Sequence, residues 1–194
     1  GTNNVGIGID ALSTNVTGYN NVAISKNALG STINATQSIS DNNTSIGIGF
    51  SAGNPSVNQP APVAHIGDTL IGHQAAADQI YSLSTKNVFL GFRAGRNAGD
   101  VNSVMSSIDN VVIGNAAGLN IDGLDGAPIN FHRNIFIGKN AGASTFGSNI
   151  KDNIILGPRG TDPLYLQEGN VLFHTGGFGN DIGIPSGTGY DGSV

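Results

Sequence analysis

The side chains that could do chemistry in this chain are few. Of its thirteen carboxylates twelve are aspartates, and Glu168 is the single glutamate. Most of the aspartates stand alone among turn residues, as at Asp41, Asp68, Asp78 and Asp100. Cleaving a glycosidic bond takes two carboxyl groups about 5 to 9.5 Å apart, one to protonate the leaving oxygen and one to act as nucleophile or base. The acidic pair closest in sequence is Asp122 and Asp125, in Asp122-Gly123-Leu124-Asp125-Gly126, and with Glu168 it is what a polysaccharide depolymerase would have to use. The same pair on a Gly-rich turn suits Ca2+. That ion wants roughly 6 to 8 oxygens, however, and an ordinary turn accounts for the same residues.

His65, His73, His132 and His174 show no metal-ligand spacing, and the chain has no cysteine to supply a thiolate or a disulfide. Gly91-Phe92-Arg93-Ala94-Gly95 follows a strand pattern as a phosphate loop would, but no helix with a Lys-Ser or Lys-Thr signature comes after it. The expectation is therefore a protein that is not an enzyme, with no catalytic, cofactor-binding or metal-binding residue assigned and no cofactor. Eight basic residues are scattered singly in a chain of net charge -5, which makes nucleic acid an unexpected partner. No run reaches the eighteen or so apolar residues that span a bilayer, so membrane insertion is not expected, and no signal-peptide pattern opens the chain.

What must position any functional residue is a repeat. Asn4-Val5-Gly6-Ile7-Gly8 returns as Asn87-Val88-Phe89-Leu90-Gly91, Asn110-Val111-Val112-Ile113-Gly114 and Asn134-Ile135-Phe136-Ile137-Gly138. With degenerate copies there are eight, anchored at Ile7, Ile24, Ile48, Ile71, Leu90, Ile113, Ile137 and Leu156, at separations of 17, 24, 23, 19, 23, 24 and 19 residues. One coil per repeat with loops of changing length predicts an all-β, stacked-coil parallel β-roll or β-helix-like fold over residues 1–157. The 30 Gly and 24 Asn then serve turns and left-handed backbone positions. Disorder is the competing reading of that composition, but a disordered linker does not need aliphatic residues in fixed register with its turns. Eight coils at a strand spacing of about 4.8 Å make an elongated rod on the order of 40 Å long.

Alternation along each strand sorts the side chains into two faces. The pairs Val5 and Ile7, Val22 and Ile24, Val88 and Leu90, Val111 and Ile113, Ile135 and Ile137, and Ile154 and Leu156 are expected inside the coil. The opposite face runs from Gly6, Ala23 and Gly47 to Leu70, Phe89, Val112, Phe136 and Ile155. A strand apolar on both faces is buried on both, and the expected cover for the second face is two further copies of the chain around a rotation axis, a homotrimer. Loops of the same chain are the alternative cover. Ala11, Ala28, Ala52, Ala75, Ala94, Ala117 and Ala141 hold a constant offset of four after the anchor, where a small residue permits a tight corner. The leading Asn, at Asn4, Asn21, Asn87, Asn110, Asn134 and Asn153, sits where its amide can bond neighbouring backbone at the bend or form a ladder with the Asn one coil away, or else it is an exposed turn former.

Residues 158–194 leave the pattern. Leu164-Tyr165-Leu166 and Asn170 to His174 read as two strands about the turn Glu168-Gly169, a hairpin that caps the stack. Gly176 to Val194 reads as a junction or tail. The chain opens part-way through a repeat, so a segment of a longer protein is expected.

The register of Asn21-Val22-Ala23-Ile24, Asn87-Val88-Phe89-Leu90-Gly91-Phe92-Arg93-Ala94-Gly95 and Asn134-Ile135-Phe136-Ile137-Gly138-Lys139-Asn140-Ala141-Gly142 resembles the head repeat of trimeric autotransporter adhesins and the similar repeat of bacteriophage tail fibres, over roughly residues 3 to 160. In the adhesin heads each chain forms a parallel β-roll and three rolls associate. The longer, uneven spacing here favours the tail-fibre group. That resemblance implies a structural and adhesive virion segment that contributes to host-surface recognition. Its partners would be other tail-fibre or baseplate proteins and a host-surface glycan or protein. The alternatives are a bacterial adhesin head at the cell surface and a tailspike depolymerase. Exposed contacts would come from Tyr19, Phe50, Tyr81, Phe92 and Arg93, which suit stacking on sugars or pairing with anions.

Overall fold

The computed structural model describes residues 2–13, 15, 18–30, 45–54, 65–77, 81–96, 105–121, 129–147, 149–158, 164–165, 170–174 and 181–185. Among these residues every regular element is a strand. The first three are β1 (Val5–Ile7), β2 (Val22–Ile24) and β3 (Ile46–Ile48). From residue 65 each coil contributes a pair: β4 (His65–Ile66) with β5 (Thr69–Ile71), β6 (Tyr81–Thr85) with β7 (Val88–Leu90), β8 (Met105–Ile108) with β9 (Val111–Ile113), and β10 (Ile129–His132) with β11 (Ile135–Ile137). Then come β12 (Thr145–Phe146), β13 (Asn149–Lys151), β14 (Ile154–Leu156), β15 (Leu164–Tyr165), β16 (Asn170–His174) and β17 (Asp181–Pro185).

The chain is a β-solenoid. A long sheet runs β1-β2-β3-β5-β7-β9-β11-β14-β16-β17, and a short sheet runs β13-β10-β8-β6-β4. The long sheet is parallel and in register from β1 to β16, so that Val5, Val22, Ile46, Thr69, Val88, Val111, Ile135 and Ile154 form one column. The repeat read from the sequence is thus the repeat of the fold.

The leading asparagines form the ladder. Asn110 Oδ1 accepts from both the backbone N–H and the Nδ2 amide of Asn134, each at 2.9 Å. Asn110 Nδ2 in turn donates to Asn87 Oδ1 at 2.8 Å and to the Phe131 carbonyl at 2.7 Å. The same pattern joins Asn21 to Asn4 and Asn153 to Asn134, with Ser45 and Asp68 occupying the ladder position in the third and fourth coils. Asn21, Asn87, Asn110, Asn134 and Asn153 are fully buried.

An inward Asn decides which face of the strand is the core, and the expected assignment of the two faces is reversed. Side chains alternate along a strand, so when Asn points in, the next residue points out, the middle one in and the anchor out. Ala23, Leu70, Phe89, Val112, Phe136 and Ile155 accordingly have no exposed surface, whereas Val5, Ile7, Leu90 and Ile137 are exposed by 47%, 58%, 39% and 39%. Reading the bulkier Val/Ile pairs as the interior neglected the polar residue that sets their parity.

The core varies in volume along the rod because two inward positions compensate each other. Where the middle residue is small, as at Ala23, the residue six further on is Leu29, fully buried. Where it is Phe136, that residue is Gly142, whose Cβ would collide with the Phe136 ring. In the third coil both are glycine, and Leu29 and Leu70 of the neighbouring coils fill the space at Gly47 and Gly53. The alanine column from Ala28 to Ala141 is buried as expected. Its carbonyls carry a second ladder, from Gly95 N–H to Ala117 at 2.7 Å and from Gly118 N–H to Ala141 at 2.8 Å.

At the corner after the anchor, Gly72, Gly91, Gly114 and Gly138 hold φ between 133° and 138°, and a Cβ on any of them would strike the backbone of the glycine one coil on. Ser25 occupies this corner in the second coil at φ 105°.

The terminal hairpin differs from expectation. Leu164–Tyr165 pairs in parallel with Thr145–Phe146, and Asn170–His174 joins the long sheet beside β14 with Ile154 opposite Val171. The antiparallel partner of β16 is Asp181–Pro185. The physical reason lies in Asn170-Val171-Leu172-Phe173, which repeats the Asn, β-branched, variable, apolar register. The edge of β14 offers it backbone hydrogen bonds already in step, so the long sheet runs past residue 157 into a ninth strand before the chain reverses.

Two substitutions test this framework at fixed protein concentration. Asn110→Ala orphans the buried Asn134 N–H and takes from the Phe131 carbonyl one of its donors, at about 1–3 kcal/mol. Its urea midpoint should fall well below that of Asn4→Ala at the half-buried end of the ladder. Ser25→Gly should raise the midpoint by an amount equivalent to about 1 kcal/mol, because it relieves a φ that L residues rarely adopt.

Candidate functional site

The outer face of the long sheet is one aliphatic strip. Of the sixteen outward positions on β1, β2, β3, β5, β7, β9, β11 and β14, Thr69 alone is polar. These side chains are half-buried or exposed, although each would be shielded in an ordinary core. The short sheet shows water a different surface. Its described outward residues include Thr85, Ser106, Asn130, His132, Asn149 and Lys151 alongside Ile66 and Ile108. Asn130 Nδ2 donates to Asn149 Oδ1 at 2.9 Å, and His132 Nε2 lies 3.1 Å from Ser106 Oγ. Burial, helped by Lys151 and Arg133, pushes the His132 imidazole below its ordinary range. At the corner beside it, Arg133 grips Asp152 with two bonds of 2.6 and 2.7 Å. That hydrogen-bonded guanidinium holds the Asp152 carboxyl below its usual range.

A Ser, an Asp and a His, the residue types of a hydrolytic triad, meet inside the coil. His65 Nδ1 is 2.8 Å from Asp68 Oδ2, and Ser84 Oγ donates to that same oxygen at 2.6 Å. The order is wrong for nucleophilic catalysis, which needs the imidazole between hydroxyl and carboxylate to take the hydroxyl proton. Here the carboxylate sits in the middle, and none of the three residues is more than 3% exposed. The cluster is a structural node. Asp68 Oδ1 takes the Asn87 backbone N–H at 2.8 Å and its Nδ2 at 3.1 Å, which continues the ladder. Aspartate lacks the amide donor that asparagine brings to its rung; Ser84 Oγ donates to it, and the His65 ring lies between the same carboxylate and the Gly53 carbonyl, with Nε2 3.1 Å from the latter.

The turn that follows the corner glycine presents a second exposed column. Phe50, His73 and Phe92 occupy the same position in successive coils and stack, with ring centroids 5.1 and 5.2 Å apart at interplanar angles of 20° and 18°. Arg93 lies 4.9 Å from the centroid of the Phe92 ring, and its Nε donates to Gln74 Oε1 at 3.3 Å. Phe50, Phe92 and Arg93, read from the sequence as separate loop residues, are thereby gathered, and His73 joins them. The missed signal was the constant offset of two from the anchor shared by Phe50, His73 and Phe92. Tyr19 is exposed but lies outside this column, two residues ahead of Asn21.

Asp122, Asp125 and Glu168 lie outside the described residues, as do the side chains of Tyr81 and His174. Among the described residues no three His, Asp or Glu side chains are grouped to hold a metal ion, and no helix is long and apolar enough to cross a membrane.

Removing the carboxylate of the node tests its role. Asp68→Ala leaves the Ser84 hydroxyl and the Asn87 N–H without their buried acceptor and should cost about 1–3 kcal/mol for each, read as a drop in the urea midpoint. A drop under about 1 kcal/mol would place the pair outside the framework. Comparison of the chain with protein-family models, with curated proteins and with solved structures finds no match.

Proposed function

We propose that this chain is a structural and adhesive segment of a trimeric fibre, a phage tail fibre on the virion, that contributes to recognition of the host surface. The observation that carries this reading is the aliphatic strip on the outer face of the long sheet. The strip repeats with the strand spacing of about 4.8 Å over eight coils. A partner that buries it along its length must carry the same period, and a second copy of this chain, set side by side with its axis parallel, does so by construction. Three copies about one axis close the contact without leaving an open edge.

The energetics suit association. Completing the burial of a half-exposed aliphatic side chain contributes roughly 1 kcal/mol at about 25 cal/mol/Å². The strip therefore supplies on the order of 10 kcal/mol per protomer, comparable with the cost of association. The trimer face expected from the sequence, with Phe89 and Phe136, belongs to the coil interior, so the proposed interface is the Val/Ile face. The rod shape supports the mechanical part of the reading. The turn-side column is where contact with a host glycan or protein and with other tail proteins would be sought.

The test is native mass by light scattering, for the parent chain and for a Leu90→Asp, Ile137→Asp variant. Both positions are outward, so the monomer fold tolerates the charges. The parent should run at three times the chain mass and the variant at one. A parent that stays monomeric at micromolar concentration would sink the fibre reading.

A further inference from the structure

We infer that the turn-side column centred on Phe50, His73 and Phe92 is a binding strip for an acidic polysaccharide lying along the solenoid axis, an inference that rests on the fibre reading above. The three rings use their faces on one another, so it is their edges that look outward. A ring's quadrupole is negative on the face and positive at the edge. The edges of Phe50 and Phe92 are therefore weakly electropositive and also apolar, and the ring nitrogens of His73 between them can hydrogen-bond, a combination suited to a sugar polymer that carries carboxylates between C–H surfaces.

The charges on this side agree. The chain has net charge -5, yet the described turns that follow the corner of each coil (9–13, 26–30, 50–54, 73–77, 92–96, 115–121 and 139–143) carry Lys26, Arg93, Arg96 and Lys139 against Asp10 alone. Lys26 and Lys139 occupy the same column position as the aromatic rings, at either end of it, and both are exposed. The Arg93 guanidinium lies over the Phe92 ring and its Nε is bonded to Gln74, so its remaining donors are oriented before a ligand arrives, and less side-chain entropy remains to be lost on binding.

The spacing of cations selects the kind of polyanion. Lys26 and Lys139 stand five coils apart, about 24 Å at a strand spacing of ~4.8 Å. Four cations over that length are sparse beside a nucleic-acid strand, which carries a charge about every 3.4 Å. They suit a polymer with a carboxylate on alternate sugars. The strip lies beyond the corner glycines and outside the aliphatic face, so it does not compete with assembly.

The test measures binding of fluorescent hyaluronan, a polymer with a carboxylate on alternate sugars, to the parent chain and to a Phe92→Asn, Arg93→Asn variant. Asparagine already occupies these turn positions in other coils, at Asn115 and Asn140, so the variant keeps the backbone conformation. Neutral dextran and single-stranded poly(dT) serve as comparators. The expected result is binding to hyaluronan that weakens with salt and falls about tenfold or more in the variant, with weaker binding of both comparators. No hyaluronan binding, equal binding by the variant, or binding of dextran or poly(dT) as tight as that of hyaluronan would each overturn the assignment. Light scattering on the same samples separates the two ideas. A trimer without binding removes the strip alone, and a monomer removes the fibre reading.

Discussion

A row of buried asparagines governs this molecule. At Asn87, Asn110 and Asn134 the amide oxygen accepts two N–H bonds from the next coil, and the amide nitrogen donates to the previous rung and to a short-sheet carbonyl. Backbone groups at a buried bend would otherwise be orphaned, so the ladder is what allows the chain to turn sharply between its two sheets. It also fixes the parity of every long-sheet strand. The inward direction of the Asn side chain determines the core residue, the two outward residues and the place of the corner glycine. The shape of the coil and the chemistry of its surface both descend from that one orientation.

The interior confirms how little hydrocarbon such a coil needs and how it manages shortage. Most coils pair a large inward residue with a small one. The third coil has Gly47 and Gly53 at both positions and depends on Leu29 and Leu70 from its neighbours. It is beside this thin stretch that Asp68 and Ser45 stand in for asparagine, and His65 ties the corner to the Gly53 carbonyl across the coil. A buried polar crosslink is expensive to desolvate, but with its groups partnered it ties together the coil that has glycine at both inward positions.

The two outer surfaces divide the work. The long sheet turns an aliphatic strip outward and the short sheet a polar one, although both are built from parallel strands of the same coils. In a single chain such a strip is an exposed apolar patch prone to aggregation, whereas in a fibre it is the seam. The turn side, where corner glycines bring successive coils into backbone contact, stacks whatever side chain follows the glycine. Rings there form a column, whatever the lengths of the intervening loops.

The sequence by itself determined the period, the all-β class and the corner positions. These depend on residues next to one another along the chain: Asn before the strand, Gly after it, Ala four beyond the anchor. It also implied that both strand faces are apolar. Only the tertiary structure decided which face is inside, because that depends on where the Asn amide finds its partners one coil away. The same holds for Asn170-Val171-Leu172-Phe173. Its sequence neighbours read as a local hairpin, and the open edge of β14 drew it into the ladder instead. The stacking of Phe50, His73 and Phe92 was invisible for a related reason. The loops between them are unequal, and the distance that matters is the spacing between coils rather than the count of residues.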